Sequence, residues 1–450
     1  MPSTPLDSVL FRDMFGTPAM RAVFSDEALV GRYVEAEVAL ARAEARCGVI
    51  PAEAAEAIAA AGDALRPDWE RLRIETENVG YPILPLVHQL AEAADEAGRF
   101  VHWGATTQDI MDTANVLQIR AALDLVAADL DALRAILAAL AAKHRDTPMA
   151  GRTHLQQALP ITFGYKAAIW LSAIDRHAER LAQLRPRALM GQFAGAAGTL
   201  ASLGDDGFRV QAAFCAELGL AQPPITWHVA RDGIAEAVNL LGLITGTLGK
   251  IATDVMLMMS SEFGGEVMEP FVKGRGASST MPQKRNPISS ELMLAAAKAV
   301  RQQVALMLDA SIHDFERATG PWHLEWLAVP ESFILTAGAL HQAKFALSGL
   351  TVDAARMRAN LDMTGGLIVA EAVMMAAAPK LGRQHAHDVV YDACRAAITT
   401  GRTLAEALNE VPAVVDALGG PDAVARHCDP ANYLGLAPRM VDRVLDGRGN

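Results

Sequence analysis

The hydrophobic positions of this chain recur at helical spacing over most of its length. The clearest pattern begins near Asp112, where large aliphatic residues alternate at intervals of three and four positions. These residues are Val116, Ile119, Leu123, Val126, Leu130, Leu133, Leu137 and Leu140. A heptad seam of this kind is typical of helices that wrap around one another at a shallow angle. The pattern predicts a helix over residues 112–146, roughly 50 Å long.

A helix of that length needs partners of similar length. Four later stretches are apolar enough to form them, at residues 161–184, 229–263, 288–315 and 330–348. Five long helices predict a bundle, and alanine, the best helix former, is unusually common throughout the chain. We expect so elongated a bundle to bury its remaining apolar seams against other subunits of an oligomer.

The two ends of the chain differ from its middle. Prolines and glycines break the helical segments into shorter units near both termini. No stretch shows the sustained alternation of polar and apolar residues, bounded by turn residues, that predicts β-strands. The sequence therefore predicts an all-α protein of three helical domains. They are an N-terminal domain over residues 1–110, a central long-helix bundle over 111–350 and a C-terminal domain over 351–450.

Composition and charge exclude several classes of protein. Hydrophobic residues make up 51% and charged residues 20% of the 450 positions, which excludes a disordered chain. The net charge of −12, without a basic tract, argues against a nucleic-acid partner. The most apolar stretch, near residues 239–259, carries Lys250 and Asp254, so no membrane span is expected.

The four cysteines predict neither disulfides nor a metal site. Cys47, Cys215, Cys394 and Cys428 are scattered, without the spacing of metal ligands. Together with the lack of a visible signal peptide, they are typical of reduced thiols in a cytoplasmic protein. No glycine-rich nucleotide loop is present, so we expect no metal and no organic cofactor.

Three polar segments interrupt the apolar helical pattern. The first, VHWGATTQD, ends just before the heptad helix, where Thr106, Thr107, Gln108 and Asp109 can cap the helix and its N–H groups favour an anion. The second, GRTHLQQALP, places Thr153 and His154 in a turn that leads into the next helix. Taken alone, these two segments are better explained as a plain helix cap and a structural histidine than as functional sites.

The third segment, GRGASSTMPQKRNPISSE, is the most informative. Its glycines allow a loop that opens and closes over a ligand, and its prolines restrict that loop. A surface loop with solvated charges is the alternative. The hydroxyls, cations and amide at its tip suit a carboxylate-bearing substrate. They belong to Ser278, Ser279, Lys284, Arg285 and Asn286.

The stretch SSTMPQKRNP closely resembles the signature of the fumarase/aspartase superfamily. This superfamily includes fumarase, aspartase, argininosuccinate lyase, adenylosuccinate lyase and 3-carboxy-cis,cis-muconate cycloisomerase. The other two segments resemble its other signature regions in the same order, so the resemblance covers essentially the whole chain. It implies a homotetramer with a core of twenty long helices. It also implies a small polycarboxylate substrate and active sites that each draw on three subunits.

The resemblance implies a reversible β-elimination next to a carboxylate. By this resemblance, Ser278 is the base that removes the Cβ proton, and His154, held by Glu291, is the acid that protonates the leaving group. Nearby cations and loop N–H groups must stabilise a serine alkoxide. Ala277 stands where the signature has glycine, which would alter the loop if that position needs a positive φ. The implied substrate contacts are Thr106, Thr107, Thr153, Gln192, Lys284, Arg285 and Asn286.

Two features of the sequence point to different branches of the superfamily. Stretches such as ILPLVHQL and QFAGAAGTLASLG resemble the cycloisomerase branch. Cycloisomerases of the pseudomonad type, however, carry tryptophan at the position of His154 and no acid at that of Glu291. Cycloisomerisation needs no separate acid for a departing group, so retention of both residues favours an elimination that releases an amine or a hydroxyl.

Several alternatives stay open from the sequence. A genuine cycloisomerase is the first of them, and adenylosuccinate lyase is weaker because its phosphate-binding segment is replaced by one that contains Trp322 and Trp326. These two tryptophans either line an apolar wall of the pocket or pack in the core. A non-catalytic scaffold is the remaining alternative, although the complete set of predicted catalytic residues argues against it.

Overall fold

The structure, a computed structural model, describes residues 4–262, 265–317 and 319–447 of the chain. Most of this part of the chain is α-helical, which confirms the predicted all-α class. In chain order, helices α1 to α19 are Arg12–Phe15, Pro18–Val23, Asp26–Cys47, Ala52–Ala64, Trp69–Val79, Ile83–Ala93, Thr107–Lys143, Phe163–Ala188, Gly207–Glu217, Asp232–Met259, Ile288–Ala310, Pro321–Ser348, Ala354–Asp362, Ala370–Leu381, Arg383–Thr400, Leu404–Asn409, Pro412–Leu418, Pro421–Cys428 and Ala437–Asp446. Strands β1 to β4 are Pro148–Thr153, Gln156–Thr162, Val267–Met268 and Thr351–Val352.

The five predicted long helices are all present, as α7, α8, α10, α11 and α12. Helix α7 begins at Thr107 rather than 112, because the Asp109 carboxylate accepts the N–H of Thr106 at 3.0 Å and caps the first turn. Helix α12 begins at Pro321 rather than 330, so Pro330 lies inside the helix and does not start it. The buried neighbours Ala328 and Val329 stabilise the helix there, although Pro330 donates no hydrogen bond.

The heptad seam of α7 is buried by the chain itself. Seven of its eight side chains, from Val116 to Leu137, have no exposed surface, and Leu140 is 8% exposed. Burial of the seam is therefore confirmed. The part of the prediction that concerns burial by other subunits stays a prediction.

Contacts group the chain into two compact units, each of which combines separate stretches of sequence. The predicted division is different, because its three domains are each one continuous stretch of sequence, and it stays a prediction. Unit 1 consists of Met1–Leu130, His177–Gly249 and Leu292–His341, and unit 2 of Asp131–Arg176, Lys250–Glu291 and Gln342–Asn450.

Helix α3 organises the N-terminal part of unit 1, where it packs against α4 and α9. The Ser25 hydroxyl accepts the N–H of Ala28 at the start of α3, and Gly48 ends the helix in the left-handed conformation at φ 80°. A small apolar core forms between α3, α4 and α6. It contains Ala41, Ile50, Ala55, Ile58, Ala61, Leu90 and Ala94.

A buried ion network crosses unit 1. The Arg231 guanidinium has no exposed surface and donates to both oxygens of Asp112, at 2.7 and 2.9 Å, and to both oxygens of Glu325, at 2.7 and 2.5 Å. The Trp322 indole N–H also donates to Asp112, at 3.2 Å. Burial raises the pKa of Glu325, whereas Arg231 opposes that rise. Arg231 therefore compensates two carboxylates that are out of contact with water.

We predict that Arg231→Met lowers the free energy of unfolding by about 3 kcal/mol or more, because it leaves two buried carboxylates without a counter-ion. Arg187→Met is the matched control. It removes an equally bidentate pair with Glu236, but both side chains are largely exposed, so we expect a loss below about 1 kcal/mol. Urea unfolding of the two variants measures the difference. Equal losses would contradict the role given to Arg231.

Within the described residues, the strands lie in unit 2 and form two antiparallel pairs. Strands β1 and β2 form an antiparallel hairpin, and the short strands β3 and β4 form a second pair. The sequence did not predict the hairpin because its register shifts between Ala150 and Arg152, which breaks the alternation of buried and exposed residues. Helices α14 to α18 pack around a core of their own. This core includes Val373, Val390, Ala393, Ala397, Leu404, Leu408, Val414 and Val424.

Helix α10 is, within the described residues, the one continuous helix long and apolar enough to cross a membrane. Half of its most apolar window is buried inside the protein, which is what the core helix of a globular protein shows. The charged pair Lys250 and Asp254 lies within it and forms a salt bridge.

Candidate active site

The first polar segment is held in unit 1 by a buried aspartate. The Asp109 side chain has no exposed surface, and its carboxylate accepts the N–H groups of Thr106 at 3.0 Å, Ala194 at 3.0 Å and Gly195 at 2.9 Å. Thr106 and Thr107 are half-buried at the start of α7, and neither hydroxyl bonds to another described residue. Asp109 thus fixes both threonines and the helix N-terminus while their hydroxyls stay available.

Gln192 belongs to the same network. It is fully buried; its amide oxygen accepts the N–H of Trp227 at 2.9 Å, and its amide nitrogen donates to Thr226 at 3.1 Å and to Asp109 at 3.3 Å. His228 donates from Nε2 to Asp109 at 2.7 Å and completes the cluster. Because the Gln192 amide is used within the chain, the geometry supports a positioning role for this predicted substrate contact.

The second polar segment forms the tip of the β1–β2 hairpin in unit 2. Thr153 pairs with Gln156, so His154 and Leu155 are the two residues of the turn, with φ values of 50° and 61°. Two consecutive positive φ angles are typical of the type I′ hairpin turn, which favours asparagine and glycine. A leucine in this conformation stores strain of about 1–3 kcal/mol. The turn presents His154 and Thr153 at the exposed tip of the hairpin.

A buried carboxylate, that of Glu266, anchors this hairpin through Arg152 on its first strand. Arg152 donates to both oxygens of Glu266, at 2.9 and 2.6 Å, and the Glu266 side chain has no exposed surface. The Asn360 amide donates to the same carboxylate at 2.7 Å. The side chain of Gln157, on the second strand, donates to the Asn360 carbonyl at 2.7 Å. The two strands that carry the strained turn are therefore held in place by buried hydrogen bonds.

The third segment is a loop whose base is fixed and whose tip is free. Glu269 accepts the N–H groups of Ser289 and Ser290 at 3.1 and 2.9 Å, which caps helix α11. Arg275 donates to Ser289 at 2.6 Å, and Arg285 donates to the Glu269 carbonyl at 2.9 Å. Arg285 therefore helps to anchor the loop in addition to adding positive charge.

Ser278 lies on the free part of this loop. Its hydroxyl oxygen accepts the N–H of Met281 at 3.0 Å and the N–H of Thr280 at 3.3 Å. Two N–H donors aimed at one oxygen stabilise negative charge on it, as an alkoxide base requires. Lys284 is exposed and Asn286 half-buried on the same loop, so both are available to a carboxylate.

The alanine that departs from the family signature does not strain the loop. Ala277 is outside the left-handed region, which is occupied by Gly274 at φ 84° and Gly276 at φ 68°. Ala277 instead forms an isolated antiparallel bridge with Arg285. The concern that Ala277 needs a positive φ was therefore unfounded.

We predict that Gly276→Ala lowers kcat/KM for the expected elimination by about tenfold or more. A Cβ there would lie 2.5 Å from the Asn286 carbonyl oxygen, and overpacking costs about 1–3 kcal/mol. Gly274→Ala is the matched control, because Gly274 also has a positive φ but no heavy atom lies within 4 Å of its Cβ position. Steady-state kinetics of both variants separate the collision from backbone strain, and an equal loss in the two would contradict the prediction.

The predicted acid pair is not joined within one chain. His154 and Glu291 are both exposed, and neither side chain forms a hydrogen bond with any described residue. Glu291 lies in the first turn of α11. The pairing of His154 with Glu291 therefore stays a prediction, and it requires that another subunit bring them together.

Sequence reasoning missed most of the residues that hold the site in position. Arg152, Glu266, Glu269 and Arg275 carry hydrogen bonds described above and were not predicted, whereas Asp109 is among the residues predicted to cap α7. The available signal was a charged residue within or beside an apolar stretch, which does not identify its partner. No group of three His, Cys, Asp or Glu side chains is placed to hold a metal ion in the part of the chain that the structure describes.

Two protein-family models together match most of the chain. A family model described as lyase matches residues 14–301, and one described as adenylosuccinate lyase C-terminus matches residues 366–444. A solved structure, the fumarate lyase from Mesorhizobium sp. BNC1, is 56% identical to this chain, with a TM-score of 0.91 over 96% of this chain and 99% of that one.

Curated relatives of similar length differ in their reactions. The chain is 48% identical to the 3-carboxy-cis,cis-muconate cycloisomerase of Pseudomonas aeruginosa, over 97% of this chain and 95% of that one. It is 48% identical to trans-aconitate decarboxylase 1 of Mycosarcoma maydis, over 96% and 88%. It is 40% identical to the N-acetyl-S-(2-succino)cysteine lyase of Dickeya dadantii, over 100% and 99%. Identity alone therefore does not select one reaction for this chain.

Proposed function

The chain belongs to the fumarase/aspartase superfamily, and from this premise we propose that it is a lyase that splits a 2-substituted succinate into fumarate and the released group. The bond broken joins carbon to nitrogen or to oxygen. The 2-succino thioether in the name of one relative adds sulfur as a further candidate. The observation that carries the proposal is His154, an exposed histidine held at the tip of a strained turn.

In the proposed reaction, the Ser278 alkoxide takes the Cβ proton. The electron pair of that C–H bond becomes the new C=C bond, and the pair of the bond from Cα to the leaving group departs with that group. Protonated His154 then supplies a proton to it, with Glu291 of an adjacent subunit orienting the imidazole. The products are fumarate and the neutral amine, alcohol or thiol.

The charge that develops on the substrate needs its own donors. We propose that Lys284 and Asn286 bind the carboxylate next to Cβ, where the aci-carboxylate forms, and that Thr106, Thr107 and Thr153 contact the rest of the dicarboxylate. Arg285 adds positive charge from the base of the loop. Gln192 positions the loop after residue 192 instead of contacting the substrate.

We propose that the site is completed in a homotetramer. Large apolar side chains are exposed on four of the long helices, and exposed patches of this kind are typical of subunit interfaces. These side chains are Ile169, Leu243, Leu308 and Leu327, between 51% and 55% exposed. Analytical ultracentrifugation tests the assembly, and an active monomer would contradict it. A cytoplasmic location stays an expectation from the four free thiols.

Cycloisomerisation of 3-carboxy-cis,cis-muconate is the second candidate. Its support is the 48% identity to a cycloisomerase over almost the whole chain. In that reaction a carboxylate of the substrate itself is the nucleophile or the leaving group, so His154 is not needed as an acid. The retained acid pair favours elimination, so cycloisomerisation ranks second. Adenylosuccinate lyase and a non-catalytic scaffold have less support.

A panel of substrates tests the proposal. The purified enzyme is incubated with N-, O- and S-substituted succinates, with 3-carboxy-cis,cis-muconate and with trans-aconitate, and the products are followed by proton NMR. We expect the vinyl signal of fumarate from at least one substituted succinate. Lactone from the muconate, or loss of carbon dioxide from trans-aconitate, without any fumarate would assign the chain to one of the other reactions.

A further inference from the structure

A cavity of about 360 Å³ lies in unit 1, and none of the groups assigned above to proton transfer lines it. This volume is within the range of small-ligand pockets, about 300–1,000 Å³. Aromatic side chains form much of its wall, and three carboxylates are the charged side chains that line it. The aromatic residues are Phe24, Tyr33, Trp322 and Trp326, and the acidic ones are Asp26, Asp112 and Glu325.

The cavity runs along the face of helix α7 that begins at a predicted substrate contact. Met111 and Asn115 line it, and they lie four and eight residues beyond Thr107. Residues four apart lie on the same face of a helix, about 6 Å apart along its axis. The cavity is therefore one turn from Thr107, close enough for one end of an extended substrate to reach it.

The charge at the wall is negative. Arg231 lies behind Asp112 and Glu325 and donates all of its hydrogen bonds to them, and no Lys, Arg or His lines the cavity in the described part of the chain. Three carboxylates thus face one buried guanidinium. Even without Glu325, the two aspartates outnumber the one guanidinium. The wall therefore disfavours an anionic group and favours a cationic one.

The tryptophans supply the matching surface for an organic cation. The ring centroids of Trp322 and Trp326 lie 5.4 Å apart, with an interplanar angle of 73°. Tyr81 packs against both, at 5.5 Å and 6.3 Å. Tryptophan faces attract ammonium groups, and aromatic cages of this kind recognise alkylated ammonium ions. Trp326 is 38% exposed, so its ring is accessible rather than a fully buried core residue.

We propose that this cavity binds the leaving group of the substrate, and that this group is an organic amine with an aryl or alkyl body and no carboxylate of its own. The proposal rests on the proposed elimination and narrows it to N-substituted aspartates. After release, the neutral amine takes up a proton from water, the resulting ammonium group lies near Asp26, and the body of the amine packs between Trp322 and Trp326. The succinyl end stays with the donors of the candidate active site.

Isothermal titration calorimetry tests the proposal with two aromatic probes of similar size and opposite charge. We expect saturable binding of benzylammonium, with an affinity at least about tenfold higher than that of benzoate. Trp326→Ala and Asp26→Asn should each weaken benzylammonium binding by about tenfold. Trp69→Ala is the matched control, because Trp69 is similarly exposed, at 44%, but lines a different groove of unit 1. The affinity of this variant for benzylammonium should be unchanged.

Three results would overturn the proposal: no binding of benzylammonium, equal binding of benzoate, or binding that Trp326→Ala leaves unchanged. Because the titration involves no turnover, it is independent of the assay for fumarate. Binding without fumarate release would retain the cavity as an ammonium site and remove its role for a leaving group. Fumarate release without binding would retain the lyase and remove the cavity from its specificity.

Discussion

Replacing Ser278 by alanine is expected to lower kcat by at least about 10²-fold, the usual cost of removing a general base. The Ser278 hydroxyl is on the free part of its loop, and its contacts are limited to N–H and hydroxyl groups of the same loop. The fold and its stability should therefore be unaffected. Steady-state kinetics and thermal unfolding of the variant measure both expectations.

Ser279→Ala is the matched control for this prediction. Ser279 carries the same hydroxyl one residue further along the loop and is exposed. Its replacement should leave kcat within about threefold of wild type, a change below 1 kcal/mol. If Ser278→Ala also stays within that range, the base is another residue and the mechanism proposed here is wrong.

Replacing His154 by tryptophan is expected to reduce fumarate release from an N-substituted aspartate by about 10²–10⁴-fold. An amine leaves poorly as an anion, so it needs a proton from an acid as the bond breaks. His154 is exposed at the tip of the hairpin, so a larger ring there should not disturb the core. Glu291→Gln should cause a smaller loss, because that residue acts through the imidazole.

The choice of leaving group separates two roles for His154. If His154 is the acid, a substrate whose leaving group is a weak base should lose much less activity in His154→Trp than one that releases a basic amine, because a weak base departs without protonation. If His154 only binds a substrate carboxylate, both substrates should lose activity to the same extent. Equal losses would contradict the acid role and keep His154 as a binding residue.

The long helices could be predicted from the sequence because their signal is local. The seam from Val116 to Leu140 repeats along one face, and its burial follows from that spacing alone. The ends of the helices were less predictable. The start of α7 depends on the Asp109 carboxylate, a cap three residues from Thr106 that the local sequence does offer. The position of Pro330 inside α12 depends on burial of its neighbours, which no local pattern contains.

The chemical residues could be proposed from their resemblance to a signature, but not their surroundings. The sequence predicts only a turn at His154, because the register shift hides the strands of the hairpin that carries it. The commitment of the Gln192 amide depends on Trp227 and Thr226, which lie more than thirty positions away in the chain. Such contacts are set by tertiary packing, and one sequence alone does not reveal them.

The cavity lined by Trp322 and Trp326 illustrates the same limit. The sequence does not decide whether these tryptophans line a pocket or pack in the core, and the structure places both at the wall of a cavity together with Asp112. Asp112 and Trp322 are 210 positions apart in the chain. Their approach depends on the buried Arg231, whose partners the sequence does not indicate.

One competition experiment tests the central claim most directly. The purified enzyme is given equal concentrations of N-benzylaspartate and 3-carboxy-cis,cis-muconate in one sample, and both are followed by proton NMR. We expect the vinyl signal of fumarate to grow together with free benzylamine while the muconate stays unchanged. Conversion of the muconate to its lactone, with the aspartate derivative intact, would contradict the proposed elimination and assign the chain to the cycloisomerases.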